Sequence, residues 1–322
     1  MLRTLAGDRQ RGREDGAVET ARFRRPSGVA IDDVRGLIYV ADTNNHCIRR
    51  ITLETGVIET FAGTGERGCQ DGNLSTAQFA NPCGIATFSD KMVVISDTNN
   101  HRICRIALDQ GTVETLAGTG RPGMTEGDVA VSQLSRPHGV AVDRAGNIVV
   151  ADTSNHRIRR IETGTSVIQT LAGTGEPNFN DGPGTEACFA APCGVTFLDG
   201  DVLVGDSENA RVRRIAADGV VGTLSGTGKR SHADGPTLEA EFRFPGWLAA
   251  SPHGVFVVDT SNQRIRRIAD GAVTTVAGTG GRGWRDGPAM ESAFDGPYGI
   301  CADRDALYIA DTGNNCIRRF EV

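Results

Sequence analysis

The chain has almost no lysine. Of 34 basic residues in its 322, only Lys91 and Lys229 are not arginine, and aromatic residues make up just 5%. No apolar run is long enough to cross a bilayer, and the N-terminus lacks the pattern of a signal peptide. No stretch keeps an apolar period of 3.6 residues, which argues against a helical fold. With 40 acidic residues, a net charge of −6 and a pI of about 5.6, the chain has no overall basic field to draw in nucleic acid. A cytoplasmic, monomeric domain is expected, with no membrane partner.

Glycine, at 42 residues, is abundant, and it marks a repeat. The pattern has three phrases. A Pro-x-Gly comes first, then Asp-Thr/Ser-x-Asn followed by an Ile/Val-x-Arg strand, and finally a Thr-Leu-Ala-Gly-like close. The central phrase begins at Asp42, Asp97, Asp152, Asp206, Asp259 and Asp311, and phrases recur every 52 to 56 residues. Periods of this size signal stacked supersecondary units. The second unit reads as four strands at 84–88, 92–96, 102–107 and 112–117, rich in Val, Ile, Leu and Thr between Gly, Asp and Asn turns. Six such units predict an all-β fold, a six-bladed β-propeller of four-stranded antiparallel blades in a single domain over residues 1–322. The last unit lacks its closing phrase, and Leu2–Gly7 supplies it. The N-terminal strand should therefore complete the last blade beside Cys316–Phe320 and close the ring.

The phrases Asp42-Thr43-Asn44-Asn45-His46 and Ala151-Asp152-Thr153-Ser154-Asn155-His156-Arg157-Ile158 resemble the NHL repeat, and the likeness extends over essentially the whole chain. The resemblance implies a six-bladed propeller used mostly to bind protein or, in some members, RNA. A minority of related propellers are metal-dependent lyases or hydrolases.

A residue found in every unit is explained first by the unit. Asp42, Asp97, Asp152, Asp206, Asp259 and Asp311 are accordingly expected to bond neighbouring backbone in tight turns. The Asp-Gly pairs at Asp15, Asp71, Asp181, Asp234 and Asp286 are read as turns, with calcium as the weaker reading. Gly63-Thr64-Gly65-Glu66-Arg67-Gly68 matches a dinucleotide signature, but no helix follows to meet a phosphate, so it too is a turn. His46, His101 and His156 are equivalent positions too far apart for one metal. Five Arg-Arg pairs, such as Arg49-Arg50 and Arg318-Arg319, are spread evenly, which favours pairing with carboxylates over a nucleic-acid patch. The eight cysteines are scattered as in a reducing compartment, and the equivalent Cys47 and Cys316 should lie too far apart to bridge.

Functional candidates lie where the copies differ. From the closing Gly to the next Pro is 19 residues in all six units, as from Gly63 to Pro82, so one face of the disc is held to constant length. On that face the middle residue of Pro-x-Gly reads Ser27, Cys83, His138, Cys193, Gly246 and Tyr298 around the channel mouth. With Arg136, this ring is the expected ligand or partner contact. Cys83, His138 and Cys193 are zinc-ligand types in successive blades, which makes zinc the one metal the mouth suggests. The reading is a non-enzymatic protein-binding scaffold needing no cofactor. The alternatives are a metal-assisted lyase or hydrolase in the channel and an RNA-binding propeller.

Overall fold

The structure is a computed structural model, and it describes residues 1–89 and 91–322. It contains six antiparallel sheets arranged as the blades of a closed ring. In blade two the order from rim to axis is Gly72–Asn73, Thr112–Ala117, Arg102–Ala107, Met92–Asp97, Pro82–Phe88. The inner strands are apolar without alternation because neighbouring blades cover both faces. Leu37–Asp42, for example, is buried along nearly its whole length. Most core clusters bridge two blades, as when Tyr39 and Ile48 pack with Phe79, Val93 and Ile106, and one reaches further, joining blades five and six with Cys83 and Cys193 near the axis.

Ring closure is as expected. Leu2–Ala6 pairs antiparallel with Cys316–Glu321, with Leu2 opposite Phe320 and Thr4 opposite Arg318. Ala6 and Phe23 share a core cluster with Tyr308 and Ile317, so the first and last blades pack as any other pair does.

Two expectations need correction. The blades mostly have five strands, because the Asp-Gly pairs do not form turns. Gly72–Asn73 and its counterparts Gly16–Ala17, Gly182–Pro183 and Gly235–Pro236 each pair for two residues with the outermost long strand. Gly72 sits at φ +151 and Gly235 at +142, a region closed to other residues. The aspartates before them reach inward to a buried arginine: Asp71 to Arg102 at 2.8 Å and Asp234 to Arg266 at 2.6 Å.

The repeated aspartates are also more than turn formers. Each is fully buried, and its partners are mostly distant in sequence. One carboxylate oxygen accepts a backbone N–H from 16 to 18 residues earlier, that of Arg24 for Asp42 and of Ala80 for Asp97, at 2.8 and 2.7 Å. The other accepts from the Asn three residues on and from a buried arginine at 2.7–3.1 Å in all six blades. Burial pushes the carboxyls of Asp42, Asp152 and Asp311 up to about 6 against the pull of these donors. The first arginine of each Arg-Arg pair (Arg49, Arg159, Arg213, Arg266, Arg318) is therefore an internal cation with no solvent exposure. In blade two, Cys104 stands where the others have this arginine. Arg102 reaches the same aspartate from two residues earlier, where blade one has Cys47.

The rest of the Asp-Thr/Ser-x-Asn phrase joins one blade to the next. The Thr or Ser hydroxyl donates to the carbonyl of the following blade's Pro at 2.6–2.8 Å in five junctions, as from Thr43 to Pro82. The residue after the phrase adopts a left-handed conformation in all six units, and in five of them, Ala210 being the exception, its side chain accepts the backbone N–H just before that Pro. His46 Nδ1 takes it from Asn81 at 3.1 Å, His101 from Arg136 at 3.0 Å and His156 from Ala191 at 3.0 Å. Gln263 and Asn315 do the same with side-chain oxygens. The histidines are thus latches between blades. Arg25, Asn81, Arg136, Ala191 and Gly296, whose N–H groups are held in this way, and Phe244, for which Ala210 offers no side-chain acceptor, are all left-handed, with φ from 47 to 64. For a residue with a Cβ this costs about 1 kcal/mol or more, and the latch offsets part of it.

Two outcomes follow for closure and latching. Deleting residues 1–6 exposes the edge of Cys316–Glu321 and should cause aggregation or a large fall in melting temperature; a deletion variant melting like wild type would contradict ring closure. Burial and nearby arginines hold His46 and His101 below the ordinary value of 6.5, and burial holds His156 there. As pH falls below 6.5 the unfolded chain binds protons that the latches refuse, so their stabilisation is present above that pH and lost below it. The raised hub carboxyls work in the opposite sense at acidic pH, so the latch contribution is read as a difference between variants. With His46, His101 and His156 all changed to Gln, the melting temperature relative to wild type should rise as pH drops from 7 to 5. A difference constant with pH would exclude the latch role.

Candidate channel-mouth site

The innermost strands converge so closely that the glycine of Pro-x-Gly has no room for a side chain. A Cβ on Gly84 would lie 2.0 Å from the His138 carbonyl oxygen, and one on Gly28 2.3 Å from that of Cys83. The fifth unit breaks the pattern: it reads Pro245-Gly246-Trp247, with tryptophan where the other blades have glycine. The Trp247 ring is 5% exposed and lies 4.6 Å from the Tyr298 ring and 6.3 Å from the His138 ring. Among the described residues, junction five-to-six is also the one whose hydroxyl staple is missing, leaving Thr260 Oγ1 buried without a partner there.

His138 and Tyr298 come from blades on opposite sides of the ring and meet on its axis. The Tyr298 hydroxyl is 3.2 Å from His138 Nδ1, and Cys193 Sγ lies 3.9 Å from that nitrogen and 4.0 Å from the hydroxyl. Together with Trp247 these side chains form a floor across the channel. Above it is a cup of about 360 Å³, bordered by Arg25, Ser27, Asn81, Cys83, Asn99 and Arg136, with Thr43, Thr98 and Thr312 at its walls. Beneath lies a second cavity of about 310 Å³, framed by the backbones of the six inner strands. Asn99 Nδ2 donates to Asn81 Oδ1 at 2.8 Å, and Asn81 Nδ2 to Asn44 Oδ1 at 3.2 Å, which braces one wall.

Burial sets the protonation of the floor. It pulls His138 down to about 4, helped by the charge of Arg136, so the imidazole is neutral at ordinary pH. It pushes the Cys83 thiol up to about 12 and that of Cys193 to about 11, and raises the Tyr298 hydroxyl as well. These groups are uncharged and the thiols are weak nucleophiles.

Of the residues expected at the mouth, Ser27, Cys83, Arg136, His138 and Tyr298 border one cup, with Cys193 in its floor. Gly246 contributes no side chain, and its neighbour Trp247 does. His138 and Cys193 are brought together, while Cys83 borders the cup with Ser27. Among the described residues no three His, Cys, Asp or Glu side chains are grouped to hold a metal ion. Sequence reasoning missed Trp247, legible as the one broken Pro-x-Gly, and Arg25, which precedes its proline as Arg136 does.

Comparisons with known proteins agree with this architecture. The profile of the family described as "NHL repeat" matches residues 23–51, 134–161 and 294–320. The chain is 32% identical over 279 residues to "Protein SUPPRESSOR OF QUENCHING 1, chloroplastic" of Arabidopsis thaliana, covering 80% of this chain and 26% of that protein. It is 29% identical over 335 residues to human "NHL repeat-containing protein 2", covering 91% of this chain and 46% of that one. The chain thus spans less than half the length of these relatives. A structural genomics protein of unknown function from Bacteroides thetaiotaomicron superposes with a TM-score of 0.76 at 19% identity, over 99% of this chain and 75% of that one. A virginiamycin B lyase from Staphylococcus aureus does so with a TM-score of 0.60 at 16% identity, over 100% and 99%. At such identities the structures attest the fold alone. Six in-phase repeats, a closed ring of six sheets and the matched profile make this chain a member of the NHL-repeat six-bladed β-propellers.

Proposed function

We propose that the chain is a non-enzymatic binding propeller that contacts a protein partner through the channel-mouth face. The observation that carries this reading is the blind cup: it is built from the positions at which otherwise uniform blades differ, and the His138–Tyr298 contact closes it below. The neutral imidazole and protonated thiols of the floor favour recognition over chemistry. RNA is disfavoured because the arginines that would have made a basic surface are internal, paired with carboxylates. Among the described residues no helix is long and apolar enough to cross a membrane. Eight free cysteines fit a reducing compartment such as the cytoplasm.

A metal-assisted lyase or hydrolase is the second reading, and the close approach of His138 and Cys193 supports it. Asn99→Phe fills the cup without altering charge, whereas Arg144→Glu changes an exposed turn on the opposite face. Affinity capture with quantitative mass spectrometry should show partners lost with Asn99→Phe and kept with Arg144→Glu. The converse pattern would overturn the assignment. Stoichiometric zinc in the purified protein, lost with His138→Ala, would favour the second reading instead.

A further inference from the structure

The cup's charge is one-sided. Its border contains two arginines and no aspartate or glutamate, in a chain whose acidic residues outnumber its basic ones. Elsewhere several outer arginines find carboxylates, Arg50 with Glu59, Arg105 with Glu114 and Arg214 with Asp201, as do the six buried ones. Arg25 and Arg136 are exposed, and among the described residues neither guanidinium has a hydrogen-bond or ion-pair partner. Their backbones are nevertheless fixed. Both residues are left-handed, and their N–H groups are held by Asn315 and His101 of the preceding blades. The charge of Arg136 reaches the floor, where it bears on His138, Cys83 and Tyr298. Glu208, whose charge is felt at Cys193, is tied to Arg230. A pre-placed pair of cations thus faces a partly enclosed cavity with a neutral floor, where charge is screened less than at an open surface.

Resting on the reading of this mouth as the contact region, we infer that the cup receives an anionic group, a carboxylate or phosphate, between Arg25 and Arg136. Guanidinium forks suit such planar or tetrahedral oxyanions, and Asn81 and Asn99 brace the wall between the two blades. The anion can come from a free small molecule or from an acidic segment of a protein partner.

Isothermal titration of the whole chain at low salt distinguishes these sources. One arm uses inorganic phosphate, another a hexaglutamate peptide with a blocked C-terminus, and a third the hexaglutamine equivalent as a neutral control. Binding should appear with at least one anionic probe, be absent with the neutral peptide and weaken with added salt. Arg25→Gln or Arg136→Gln should lower affinity about tenfold or more, as loss of a charge-assisted contact does. Both variants keep the latched backbone N–H, and an unchanged melting temperature confirms folding. Response to phosphate alone assigns a small anion; response to the acidic peptide alone assigns a protein segment. The inference falls if neither anion binds at millimolar concentration, or if the double Arg25→Gln/Arg136→Gln variant binds as wild type does. If partner capture still depends on Asn99 in that case, the mouth remains the contact region and only its charge selectivity is wrong.

Discussion

A carboxylate with no access to water governs each blade. Isolated, such a charge would be too costly to bury, and here a backbone N–H, an asparagine amide and a guanidinium meet it at hydrogen-bond distance. These donors belong to the inbound loop, the turn and the third strand, so one side chain holds together three pieces of chain that no local periodicity would bring into contact. The arginine in turn reaches rim carboxylates and backbone carbonyls. Arg49 contacts Asp15 and the carbonyl oxygens of Glu14 and Arg22 as well as Asp42. It also lies over the Phe23 ring at 5.2 Å. Lysine offers a single point charge and could not replace this fork, which gives a physical reason for arginine at the six hub positions.

Because the hub is supplied by every unit, and the staple and latch by five of the six units each, they leave the ring of mouth residues free to vary. Variation is concentrated there: Trp247 enters where five blades keep glycine, and Tyr298 spans to His138 across the axis. The local cost is visible as the orphaned hydroxyl of Thr260. A uniform scaffold with one irregular mouth is the organisation expected when the unit supplies stability and the mouth supplies recognition.

Much of the fold was legible in the sequence because strand signals are local. The expected strands 102–107 and 112–117 match Arg102–Ala107 and Thr112–Ala117, and the N-terminal phrase visibly completes the last unit. The first strand of blade two begins two residues earlier than expected, at Pro82. The role of the aspartates was only half legible. Their neighbours in sequence suggested a turn, whereas their main partners lie 5 to 7 residues ahead and 16 to 18 behind. The Asp-Gly pairs were misjudged for the same reason, since pairing of Gly72–Asn73 with Thr112–Val113 depends on a strand 40 residues away. At the mouth, ring positions could be aligned from the repeats, but which side chains meet across the axis depends on the geometry of closure.

The exchange of cysteine and arginine between blades one and two provides the most direct test. Blade one has Cys47 and Arg49 where blade two has Arg102 and Cys104, and both guanidiniums reach the repeated aspartate. Arg102→Cys alone leaves Asp97 buried without its cation and should cost about 3–5 kcal/mol. Adding Cys104→Arg restores a guanidinium from the position used in the other blades. Chemical denaturation of the single and double variants measures whether the carboxylate–guanidinium hub holds the blade. The account predicts that the double variant recovers most of the lost stability. A double variant as unstable as the single one would show that the buried pair is not what the blade depends on.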